Sequence, residues 1–161
     1  MTIFNKTFWK FAALFAVIIF LAGGAIWLDR YYQWRKSPQY QAEKYLKEME
    51  QKYREDTYGG FTPEETLQLF IDALKKGDTD LASKYFVVDK QEEWKNKLEK
   101  SREAGNINNF IILLEKINSK ENGREIFKGA YQFTYSLNND TPWIIDLVIN
   151  SLTNKWKIES L

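Results

Sequence analysis

The sequence predicts an α+β protein: an N-terminal transmembrane helix and a helical stalk, then helices packed on a curved antiparallel sheet. Three observations carry this expectation. Phe11 to Leu28 is an uncharged apolar run, three helix-period segments follow Thr62, and alternation of period two begins after Asn109.

The apolar run comes first. Every side of its helical wheel is apolar, as a bilayer requires and a surface helix of a soluble domain does not. Trp9 stands at one end and Trp27, Tyr31 and Trp34 at the other, two aromatic belts for two interfaces. Trp9 to Trp27 spans roughly 27 Å at about 1.5 Å per residue, close to the hydrocarbon thickness. A cleaved signal peptide is the alternative, with Gly23, Gly24 and Ala25 as the small-residue site after Lys6, Lys10 and the apolar core. Leu21-Ala22-Gly23 lacks the cysteine that a lipoprotein signal acylates. Residues 1–10 are therefore read as a short tail and 11–28 as a signal-anchor span. Arg30, Arg35, Lys36, Lys44 and Lys47 outnumber Lys6 and Lys10, which favours a cytoplasmic C-terminal side. Asp29, the acidic residues from Glu43 onward and the first-helix position favour export, and the expectation carried forward is an extracytoplasmic domain.

Residues 29–61 read as a juxtamembrane linker and stalk. Ser37-Pro38 interrupts the first helix, and a second is expected from about Gln39 to Arg54. Ala42, Tyr45, Leu46, Met49 and Tyr53 give it an apolar stripe, while Glu43–Lys47, Glu48–Lys52 and Glu50–Arg54 are i,i+4 pairs. Such a helix is a solvated stalk or a short dimerising or membrane-lying segment. Gly59-Gly60 ends it.

The globular domain is expected over 62–161. Thr62-Pro63-Glu64-Glu65 is a capping box that opens a helix with the stripe Leu67, Phe70, Ile71 and Leu74, stopped by Gly77. Asp78 or Thr79 caps a second helix that turns Leu81, Ala82, Tyr85 and Phe86 inward. Asp89 with Glu92 repeats the capping spacing before a third helix, which carries Trp94 and Leu98 and stops at Gly105. A first strand is expected from Phe110 to Ile117, with the end of a helix over Ile111-Ile112-Leu113-Leu114 as the alternative, then a longer strand from Glu125 to Leu137 with a bulge or bend at Gly129, then Trp143 to Asn150 and Lys155 to Leu161.

Composition narrows the chemistry. The 161 residues carry 23 basic and 22 acidic side chains, a net charge of +1 that offers no field for nucleic acid. The chain has no cysteine and no histidine. Disulfides, thiolate and most zinc sites, and Ser-His or Cys-His nucleophilic pairs are thereby excluded. No Walker loop, dinucleotide fingerprint or metal-ligand spacing occurs, so neither cofactor nor metal is expected.

The stretch TPEETLQLFIDALKKGDTDLASKYF, with Phe70, Ala73, Gly77-Asp78, Ala82 and Tyr85, followed by NKWKIESL at the C-terminus, resembles the nuclear transport factor 2-like superfamily and its small bacterial membrane-anchored members. The resemblance spans roughly the whole domain. It implies a cone in which helices close over a curved sheet around a pocket, and no single activity. Members include isomerases, hydrolases, ligand-binding modules and assembly components.

An enzyme of the ketosteroid-isomerase kind needs a cavity carboxylate and phenolic donors. Tyr131 and Tyr135 fall on the expected concave face, but strand alternation turns the conceivable base Asp146 away, and Asp72 lies beside its helix stripe. No catalytic residue is assigned. As ligand-pocket candidates the sequence offers Tyr85, Phe127, Tyr131 and Tyr135, with Phe127, Tyr131, Phe133 and Tyr135 expected on one face. The reading carried forward is a non-catalytic, membrane-anchored interaction or assembly module whose partners are membrane lipid and either further copies or envelope proteins. The alternative is a small hydrophobic ligand-binding module.

Overall fold

The structure is a computed structural model describing residues 6–118, 122–136 and 142–161. The chain divides into two compact units, Met1–Met49 and Glu50–Leu161.

The first unit holds α1 (Lys6–Lys36) and most of α2 (Pro38–Glu55). Within α1, Trp9–Lys36 is long and apolar enough to cross a membrane: its most apolar 18 residues have a mean hydropathy of 2.5 and are 0% buried. Arg35 and Lys36 close its last turn, where cations face the negative end of the helix dipole. Ser37 separates the two helices as expected, and its hydroxyl accepts the Tyr40 amide at 3.3 Å to start α2. Of the three ion pairs expected on the stalk, Arg54–Glu50 forms at 2.8 Å. Lys44 instead pairs with Glu48, at 3.6 Å.

The second unit is α+β. Helices α3 (Pro63–Lys75), α4 (Thr79–Ser83), α5 (Gln91–Glu103) and α6 (Ile107–Ile117) precede a four-stranded antiparallel sheet. Its strands β1 (Gly123–Phe127), β2 (Ala130–Tyr135), β3 (Trp143–Asn150) and β4 (Lys155–Ser160) run in the order β1-β2-β3-β4. The capping box at Thr62 forms: its hydroxyl accepts the Glu65 amide at 3.1 Å, and the Glu65 carboxylate accepts the Phe61 amide at 2.6 Å. The core lies between the helices and one sheet face. Leu67, Phe70, Ile71, Phe86, Leu98, Leu114, Phe133, Ile145, Leu147 and Ile158 are buried there. Phe86 stacks on Trp94 with ring centres 4.4 Å apart and meets Phe70 edge-on at 5.4 Å.

The strand expected from Phe110 to Ile117 is helix. Ile107, Phe110, Ile111, Leu114 and Ile117 recur at three and four, and that stripe packs into the core, so burial of a helical face overrides the β preference of isoleucine. The long strand from Glu125 is two strands, because Lys128-Gly129 turns the chain back on itself. Gly129 has φ +87°, and a side chain there would press on Ile149, so glycine serves as the hairpin corner and not as a bend within a strand. The Asp89 capping box does not form. A short 3₁₀ turn, Val88–Lys90, precedes α5, which starts without a side-chain cap, and the Asp89 carboxylate accepts a bond from Tyr53 instead. Leu137, the expected end of the longer strand, lies outside the described residues, as do residues 119–121 and 138–141 between the expected strands.

Thr62 marks the start of the core helices, but compact packing extends upstream to Glu50. The free edge of β4 explains part of this. Trp156 N–H donates to the Gly60 carbonyl at 3.0 Å, Ile158 N–H to the Tyr85 carbonyl at 2.9 Å, and Val87 N–H to the Ile158 carbonyl at 3.0 Å. An otherwise unpaired strand edge is thus covered by chain from both sides.

Candidate functional site

The pocket candidates do not converge. Strand alternation puts Tyr131, Phe133 and Tyr135 on the core face of β2, where Phe133 is buried and the two tyrosines pack half-buried against the core. Tyr131 meets Phe133 edge-on at 5.1 Å, and its hydroxyl donates to Glu64 at 3.2 Å. Tyr85 is buried in the same cluster. Burial raises the pKa of both Tyr85 and Tyr131, with Glu64 adding to the effect on Tyr131.

Phe127 is elsewhere. A bulge between Glu125 and Phe127 makes Phe127 the cross-strand partner of Ala130, so it leaves the face shared by the tyrosines, and it is 67% exposed. The two conceivable bases are also apart. Asp72 on α3 accepts Gln68 Nε2 at 2.9 Å, whereas Asp146 lies on the sheet face turned away from the tyrosines. The residues expected at the membrane interface belong to α1, where Trp9, Trp27, Tyr31 and Trp34 are exposed. Trp27 stacks on Tyr31 at 5.7 Å, and Trp34 lies 4.5 Å from Tyr40, which joins the first turn of α2 to this aromatic cluster.

The outer sheet face, away from the helices, carries the polar chemistry that the sequence did not reveal. Its centre is Lys157, 1% exposed, whose ammonium lies 2.7 Å from Asp56 Oδ2 and also donates to the carbonyls of Lys84 and Tyr58. Three donors meet three acceptors, the condition for burying a cation. Burial lowers the Lys157 pKa, and Asp56 opposes the shift. Asp56 is itself 8% exposed and accepts Gln91 Nε2 at 3.0 Å and the Tyr58 amide at 3.1 Å. Close by, the Tyr53 hydroxyl donates to Asp89 at 2.8 Å and the Tyr53 carbonyl accepts Asn150 Nδ2 at 2.7 Å. Desolvation and Asp89 push the Tyr53 pKa well up. The last turn of α2 and the segment after it are therefore fastened there by a buried ion pair and hydrogen bonds. Gly59 makes the fastening possible: with φ +113°, it lies where any Cβ would collide with the Trp156 carbonyl oxygen.

Lys157 was hidden because Lys155, Lys157 and Glu159 alternate as a solvent-facing register does, and Asp56 because it stands in an ordinary helix-ending turn. Beside the fastening, two cavities that share Lys90, Val148 and Glu159 lie along the outer face. One, of about 250 Å³, reaches Tyr53 and Asp89; the other, of about 370 Å³, reaches Phe127 and Asp146. Among the described residues, no group of three or more carboxylates gathers as a metal site would require. Comparison with protein-family models, with curated proteins and with solved structures returned no match to this chain.

Proposed function

We propose that this protein is a single-pass, membrane-anchored interaction or assembly module, with a nuclear transport factor 2-like cone as its second unit, held on the extracytoplasmic side of a bacterial envelope. The observation that carries the reading is α1. Its apolar surface is unburied and ends in exposed Trp27, Tyr31 and Trp34, the arrangement that lipid and headgroups satisfy. The domain supports a non-catalytic role. Its core-facing tyrosines are committed to packing and to Glu64, and neither Asp72 nor Asp146 is directed at them. The order of helices and then an antiparallel meander, with Tyr85 to Val87 lying along β4, supports the cone.

Fractionation and cross-linking of the full chain test this reading. The chain is expected to stay with membranes through an alkaline carbonate wash, with its N-terminal segment uncleaved, and to cross-link into assemblies. Release into the supernatant, or a monomer at every concentration, overturns it.

A further inference from the structure

The larger of these two cavities, about 370 Å³, is lined by the apolar side chains of Phe127, Ala130 and Val148. Ala130 is buried while Phe127 is 67% exposed, so the groove offers an apolar strip open to solvent. At the end of the strip stands Asp146. Gln132 Nε2 donates to its Oδ1 at 2.8 Å and the Ser160 hydroxyl to its Oδ2 at 2.7 Å. Both partners are neutral. Among the described residues, no lysine or arginine nitrogen lies within 4 Å of this carboxylate, in contrast to Asp56 and Asp80. Lys90, which also lines the groove, directs its ammonium to the Glu159 carbonyl at 2.9 Å. The charged residues that line the groove, Asp146 and Glu159 against Lys90, sum to one negative charge, and Arg124, outside the lining, donates at 2.9 Å to the Oε1 of the same Gln132.

A carboxylate held by two neutral donors, with no cation in direct contact, and set beside exposed apolar surface is complementary to a cation on an apolar body. The openness of the strip favours a side chain presented by a larger partner over a free molecule, because small-molecule sites enclose most of their ligand. We propose that this groove docks a segment of a partner protein that carries an arginine or lysine next to an apolar residue, the cation on Asp146 and the apolar side chain between Phe127 and Val148. The inference rests on the interaction-module reading and gives that module one specific face.

The test uses the full chain in nanodiscs with isotope-labelled Ala130 and Val148 methyl groups. The probe is the peptide acetyl-Leu-Arg-Phe-amide, and its control is the peptide with uncharged citrulline in place of arginine. Saturable shifts at both methyls are expected, with the citrulline peptide and the Asp146→Asn variant each binding roughly tenfold more weakly, as loss of one charge-assisted hydrogen bond requires. Phe127→Ala, at an exposed position that leaves the core intact, is expected to weaken binding as well. Equal affinity for the arginine and citrulline peptides, no change in Asp146→Asn and Phe127→Ala, or equal affinity for arginine amide without its apolar flanks each overturns the inference. If the peptide fails while the chain still cross-links into assemblies in membranes, the groove is wrong and the interaction module stands; if both fail, both fall.

Discussion

Lys157 carries a buried charge that joins β4 to the segment after α2. Its ammonium is satisfied only while Asp56 and the carbonyls of Tyr58 and Lys84 surround it. Removing the carboxylate leaves a cation in a site that water does not reach, so Asp56→Asn is expected to cost about 3–5 kcal/mol. Adding Lys157→Met to that variant removes the orphaned charge and should restore much of the loss. A double-mutant cycle by chemical denaturation checks both expectations, and simple additivity would contradict the coupling. The tyrosines make a pH prediction of definite sign. Tyr53, Tyr85 and Tyr131 have raised pKa values, so the folded state holds their protons after the unfolded chain has lost them. Stability from this source is fully present below the unfolded tyrosine value of about 10 and falls as pH rises beyond it. In Tyr53→Phe the alkaline decline should be shallower; an unchanged decline across pH 9 to 11 would contradict the assignment.

At the scale of elements, the helices were legible where capping and apolar spacing agreed. The Thr62 box formed because its hydroxyl, proline and glutamate occupy the positions that a helix start requires. The Asp89 box shows the limit of spacing alone: Tyr53, distant in sequence, takes the carboxylate that would have capped α5. Ile107 to Ile117 satisfied helical and strand patterns at once, and only packing decided between them. Alternation continues through Gly129 in the sequence, which reads as a bulge or bend, although the hairpin at Lys128-Gly129 reverses the chain there. The same bulge that follows Glu125 displaced Phe127 from the expected pocket. A consequence for the stalk can be measured. The fragment 62–161 lacks the Asp56 carboxylate and the Gly60 carbonyl that covers β4, so its thermal midpoint should fall well below that of 50–161. Equal midpoints would show that residues 50–61 are dispensable. Within the core, Tyr131→Ala and Tyr135→Ala should lower stability without selectively abolishing cross-linking, since these side chains pack against the core.

For the molecule as a whole, one long apolar helix and one α+β unit were readable from composition and period, because solvent partition and hydrophobic alternation act locally along the chain. The outer face was not, since it depends on strand register, a bulge and contacts between residues about a hundred positions apart, such as Tyr58 with Lys157. The proposed function requires that α1 anchor the chain and that the folded unit lie on the extracytoplasmic side of the membrane. The absence of cysteine permits a direct measurement, in which Thr57→Cys, exposed in the turn after α2, is treated in intact cells with a membrane-impermeant maleimide. Labelling without lysis is expected, in a chain recovered from the membrane fraction. Labelling only after lysis would contradict it and place the domain on the cytoplasmic side.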